Sequence, residues 1–62
     1  MDYKEFAEAL GLKLEVFHLQ ELDEYSVEGP TEQVLAFRNE APTYGTGWYD
    51  IDDGISVYCF VE

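Results

Sequence analysis

Positive charge is what this chain has least of. Its 62 residues hold three lysines and arginines against 14 aspartates and glutamates, a formal net charge of −11. Nucleic acids and anionic membrane surfaces would be repelled and are poor direct partners. There is one cysteine, Cys59, and one histidine, His18. A single cysteine excludes an internal disulfide and fits a reducing cytoplasm better than a secreted, disulfide-stapled scaffold. No apolar run approaches the roughly 20 residues of a membrane-spanning helix. The opening Met1-Asp2-Tyr3-Lys4-Glu5 lacks the basic start and apolar middle of a signal peptide, so a full-length cytoplasmic chain is expected.

Chemical signatures are scarce as well. There is no serine-centred elbow, no phosphate-cradling glycine loop and no Cys/His metal spacing. His18 and Cys59 would have to lie side by side to form a thiolate pair. A structural strand cysteine and an ordinary strand histidine account for them equally simply, and no catalysis is expected. Asp50, Asp52 and Asp53 before Gly54 faintly suggest a calcium loop. Such a loop needs glycine at its sixth position and a bidentate glutamate at its twelfth. Counted from Asp50, those positions hold Ile55 and Val61. No metal or cofactor is expected.

What is present is a folded core. A hydrophobic content of 47% and an aromatic content of 16% argue against disorder despite the charge. A chain this short buries only about 60% of its unfolded surface, so one domain spanning residues 1–62, of modest stability, is expected.

The strongest local pattern is at the end. Trp48, Tyr49 and Ile51 precede Asp53-Gly54, and Ile55, Val57, Tyr58, Phe60 and Val61 follow it. Aspartate-glycine between β-branched and aromatic runs predicts a hairpin. Alternation puts Ile55, Val57, Cys59 and Val61 on one face and Ser56, Tyr58, Phe60 and Glu62 on the other. Neither face is polar, which predicts a central strand. The strand before the turn carries Asp50 and Asp52 and reads as an edge with its carboxylates in water.

At the other end, Asp2 to Leu10 predicts a short helix. Asp2 is the N-cap candidate, Glu5 completes a capping-box spacing and Gly11 suits the C-terminal stop. Leu12 to Leu19 predicts a strand, with Leu12, Leu14, Val16 and His18 as its core face; the mixed second face is a possible seat for the helix. Gln20 to Glu24 reads as an acidic turn and Tyr25 to Glu28 as a short strand ended by Gly29-Pro30. For Glu32 to Asn39 the two readings are a strand returning across the Gly-Pro turn and a helix capped by Thr31. The short run and the flanking Gly-Pro favour the strand. Glu40 to Thr46 reads as a loop. The sum is an α+β domain: a short N-terminal helix packed on a four- or five-stranded antiparallel sheet ending in a C-terminal β-hairpin.

The charge carries the functional expectation. A 62-residue globule has a radius of gyration of about 10.6 Å and a diameter of roughly 27 Å. Duplex DNA carries about 16 charges over that length, close to the chain's 14 carboxylates. Tyr3, Tyr25, Tyr44, Tyr49, Tyr58 and Trp48 also outnumber what so small a core hides, and such residues are enriched at interface centres.

In its size and acidity the whole chain resembles the small proteins with which phages and mobile elements block host nucleic-acid enzymes, the anti-restriction and anti-CRISPR DNA mimics. No motif carries the resemblance. It implies an inhibitor that works by occupation, its carboxylates replacing phosphates before the lysines and arginines of a basic, nucleic-acid-binding enzyme or complex. The residues placed in that role are Glu21, Asp23, Glu24 and Glu28 with Asp50, Asp52 and Asp53, and Trp48 and Tyr49 are the apolar anchors. The alternative is a non-catalytic interaction module or small homodimer using its aromatics or a strand edge.

Overall fold

The computed structural model describes residues 1–62. The elements in order are α1 (Tyr3–Ala9), β1 (Lys13–His18), β2 (Asp23–Pro30), α2 (Thr31–Glu40), β3 (Tyr44–Asp52) and β4 (Ile55–Val61). The strands form one antiparallel sheet in the order β1-β2-β4-β3. Both helices pack on the same face of it, and the other face is bare.

The N-terminal helix forms as its sequence predicts. The Asp2 side chain accepts a hydrogen bond from the Glu5 amide at 3.1 Å. Gly11, at φ 73°, ends the element in a left-handed conformation that costs glycine nothing. The second strand of the chain is longer than Tyr25 to Glu28, because Asp23 and Glu24, read as part of the acidic turn, and Gly29 and Pro30 also join the ladder.

One prediction is overturned. Residues 31–40 are a helix, not a strand. Gly29-Pro30 is no hairpin turn: both residues pair with β4, opposite Ser56 and Ile55. Pro30 then becomes the N-cap residue, extended at φ −53° and ψ 134°, where a missing N–H leaves nothing unsatisfied. Thr31 does not cap with its side chain. Its amide donates to the Gly54 carbonyl at 2.9 Å, and its hydroxyl lies 2.7 Å from the Ser56 hydroxyl. The start of α2 is thereby fastened to the β3–β4 turn.

The turn and strand positions of the hairpin are as expected, but β3 begins at Tyr44, inside the stretch read as a loop, and a register shift puts Asp50 on the helix side and Asp52 on the other. Gly54 turns at φ 73°, β4 is central and β3 is an edge. On β4 the buried residues are Ser56, Tyr58 and Phe60, alternating with the half-buried Ile55, Val57, Cys59 and Val61. The first set faces the helices.

The core is mainly aromatic. Phe60 is fully buried, with its ring centroid 5.2 Å from Tyr3, 5.0 Å from Tyr25, 5.6 Å from Phe37 and 5.5 Å from Tyr58. Val27, Val34, Ala7 and Leu12 complete it. The expected core face of β1 holds only in part. Leu12 is buried and Leu14 half-buried, but Val16 and His18 are exposed because α1 is too short to reach them. Nor does the helix meet the Lys13/Glu15/Phe17 face; it lies on the opposite side, with Leu12 and Leu14.

Replacing Phe60 by alanine should cost about 3–5 kcal/mol. A chain of this length has roughly 3–9 kcal/mol of stability in all. Phe60→Ala is therefore expected to be largely unfolded at room temperature, and its far-UV circular dichroism before and after adding denaturant checks this. A cooperative transition close to that of the parent chain would contradict the central place given to this ring.

Candidate functional site

Directly paired residues of an antiparallel ladder lie on the same side of a sheet. The register therefore sorts every strand residue to the helix side or the bare side. On the bare side β4 contributes Ile55, Val57, Cys59 and Val61, an unbroken apolar row. Beside it β2 sets Glu24 against Val61, Ser26 against Cys59 and Glu28 against Val57. Outside these, β1 sets Phe17 against Glu24, Glu15 against Ser26 and Lys13 against Glu28. On the other flank β3 sets Tyr44 against Val61, Gly47 against Cys59, Tyr49 against Val57 and Asp52 against Ile55.

The bare side is thus graded across its width: an acidic band, an apolar row, then two tyrosines. Tyr44 is 75% and Tyr49 57% exposed, and Phe17 is 49% exposed at the far edge. Gly47 has a local reason. A side chain there would fall within 3.0 Å of the Tyr49 ring, so glycine is what lets that ring lie flat along β3.

The expected partner-binding residues do not gather in one patch. Glu24, Glu28, Tyr49 and Asp52 lie on the bare side. Glu21 sits in the β1–β2 turn, which the Leu19 amide closes on the Leu22 carbonyl at 2.9 Å. Asp53 is in the turn at the opposite end of the sheet.

Asp23, Trp48 and Asp50 are on the helix side. Asp23 lies 2.8 Å from His18 Nδ1. Trp48 packs against the core, with the Arg38 guanidinium 5.2 Å over its ring. Its indole N–H donates to Asp50 at 3.2 Å, and the buried Ser56 hydroxyl donates to the same carboxylate oxygen at 2.8 Å. Trp48 and Asp50 are therefore committed to the fold. Sequence reading missed Phe17, Tyr44 and Glu15 as members of the bare side; alternation along β1 places Glu15 and Phe17 together, but the turn linking β1 to β2 had first to be located.

Other carboxylates are on α1 (Glu5, Glu8), on α2 (Glu32, Glu40) and at both termini (Asp2, Glu62). All of these are exposed. Charge thus surrounds the molecule, while the apolar row of β4 with Phe17, Tyr44 and Tyr49 lies on one side. Of the three cations, Lys13 pairs with Glu15 at 3.1 Å and Arg38 with Trp48. The hydrogen bond and charge of Glu15, with Glu28 behind them, hold the Lys13 ammonium above its usual range.

His18 and Cys59 lie on opposite sides of the sheet and in different rows of it, so they form no thiolate pair. Burial, and then the Glu24 carboxylate, push the Cys59 thiol up from its ordinary value. It is held as the unreactive thiol. The hairpin aspartates do not converge on a common point. Asp50 is turned to Ser56 and Trp48, and Asp52 accepts from the Asp53 amide at 2.7 Å. No helix is long and apolar enough to cross a membrane. No protein family, characterised protein or solved structure matches the chain.

A raised thiol pKa means less thiolate at neutral pH. Iodoacetamide should therefore alkylate Cys59 of the folded chain more slowly than free cysteine, and urea should restore the ordinary rate. Equal rates with and without urea, followed by mass spectrometry, would contradict this environment.

Proposed function

We propose that this chain is a small acidic cytoplasmic protein that binds and blocks a basic, nucleic-acid-binding protein. The observation that carries the reading is the pairing, on one uncovered sheet face, of an apolar row with the Glu15, Glu24 and Glu28 carboxylates. A cationic groove presents both features in reverse: lysines and arginines for phosphates, and apolar or aromatic surface between them. Carboxylates draw such a partner in and set its orientation, and the apolar row with Tyr44 and Tyr49 supplies contact area that excludes water.

The distribution of charge narrows the phosphate-imitation idea. Carboxylates on every side give the molecule a long-range negative field but no single DNA-like stripe. Occupation of the groove then rests on the graded sheet face, with Glu21 and the hairpin aspartates acting at a distance. A second reading, a homodimer through the bare face, is favoured by the exposed Phe17, Tyr44 and Tyr49. It requires two surfaces of like charge to meet.

The test is capture on the immobilised chain from cell lysate, followed by competition. The recovered proteins should be nucleic-acid-binding ones, and the free chain should displace duplex DNA or RNA from them. Retention should fall at least about tenfold between roughly 50 and 500 mM salt. The triple variant Glu15→Gln, Glu24→Gln, Glu28→Gln should weaken retention by a similar factor, and bound partner should slow alkylation of Cys59. Retention indifferent to salt and to the triple variant overturns the proposal. Sedimentation as a stable dimer in place of capture selects the second reading.

A further inference from the structure

The two edges of this sheet are not alike. An edge strand offers unpaired N–H and C=O groups to any extended chain, and proteins usually spoil that offer with bulges, prolines or twists. The β3 edge is spoiled. Its pairing with β4 shifts register between Gly45 and Gly47 and again between Asp50 and Asp52. The β1 edge is not. It runs without interruption from Lys13 opposite Glu28 to His18 opposite Asp23, with no proline, glycine or bulge, and the exposed Lys13–Glu15 pair is the only charged guard on it.

The β1 edge also borders a cleft. On the helix side, between the start of α1 and strands β1 and β2, lies an open cavity of about 780 Å³. Leu12, Leu14, Val16 and Tyr25 give it apolar walls, and its charged rim is mixed, with Lys4 and Lys13 beside Asp2 and Glu8. Val16 is 40% exposed there for want of a covering element. Across the same strand, on the bare side, Lys13, Glu15 and Phe17 face water, with Lys13 paired to Glu15 and with Glu28, Ser26 and Glu24 of β2 opposite them in turn.

We infer that β1 is a docking edge for an extended segment of a partner protein, which adds to the sheet as a fifth strand with apolar residues alternating with lysine or arginine. Main-chain pairing to β1 supplies the affinity, and the two faces of the sheet supply the selectivity. Every second side chain of the added strand drops over Leu14 and Val16 into the cleft. The residues between point to the bare side, beside Glu15 and its acidic neighbours. Charge selects this occupant over a second copy of the chain, because pairing two β1 edges brings together two molecules of net charge −11 each. The inference goes beyond the function proposed above: it rests on the strand edge and the cleft, and shares with the bare sheet face only Glu15 and the carboxylates beside it.

The probe is a heptapeptide of alternating lysine and valine with blocked ends, titrated into the full-length ¹⁵N-labelled chain. Its control has the same charge and a proline in place of the central valine. The alternating peptide should shift the amide resonances of Lys13 to His18 and slow hydrogen exchange at the outward-facing amides of β1, leaving β3 unchanged. The proline peptide should bind at least about tenfold more weakly, because it cannot continue the ladder. Val16→Lys, which sets a charge at the mouth of the cleft, should weaken binding similarly, whereas Ile51→Lys on the other edge should not. Equal binding of the two peptides, shifts confined to the bare face or the hairpin turn, or β1 amides already protected in a dimer without peptide would each overturn the inference. The triple variant above, which removes Glu15, should weaken both interactions, whereas the proline peptide and Val16→Lys act only on the strand edge and the cleft, so failure of the inference is distinguishable from failure of the function proposed above.

Discussion

The fold depends on one ring. Phe60 is the only residue in aromatic contact with α1 through Tyr3, with α2 through Phe37, with β2 through Tyr25 and with its own strand through Tyr58. In a domain this small there is no second cluster to take over. Aromatic side chains suit the task because each buries a large area at low entropic cost, and edge-to-face and offset stacking fix their mutual angles. The polar remainder of that face is small and satisfied: Ser56, fully buried, is held between Thr31 and Asp50.

Gathering both helices on one side leaves the other side of the sheet uncovered. Covering it would need a further layer that the chain does not have. The result is a molecule with a single packed face, a single bare face and carboxylates around both. Mutual repulsion among those carboxylates opposes compactness, and only a few cation contacts offset it. The aromatic face therefore has to overcome both chain entropy and self-repulsion, which leaves little margin for an additional strained or unsatisfied group.

Much of this was legible in the residues. Asp2, Glu5 and Gly11 mark the first helix by local chemistry, and Asp53-Gly54 marks the hairpin; neither depends on distant partners. The central place of β4 followed from its having no polar face. The second helix was not legible, because its signals point both ways. Only Val34 and Phe37 are fully buried, with Leu35 and Ala36 half-buried between them, so the helical period is blurred into an apolar run. Gly29-Pro30 has a strong turn signature, and it took the pairing of those residues with β4 to show that the chain bends into a helix instead. The assignment of acids to a site failed for a related reason. Alternation puts Asp50 and Asp52 on one face, but a register shift between them turns Asp50 to the helix side and Asp52 to the other, and only the sheet order shows that Asp23 joins Asp50 while Glu24 and Glu28 join Asp52.

The sheet order also governs how the molecule comes into being. β4 lies between β2 and β3, yet it is the last of the four strands along the chain. Until it is synthesised, a nascent chain on the ribosome can form α1 and the β1–β2 hairpin, but α2 has only β2 to rest on and β3 has no neighbour. Closure must then be late and concerted, a slow route because its contacts span most of the sequence. Through that interval the incomplete polypeptide exposes its rings and strand edges to other copies of itself. Like charge on those copies opposes their association until β4 is in place.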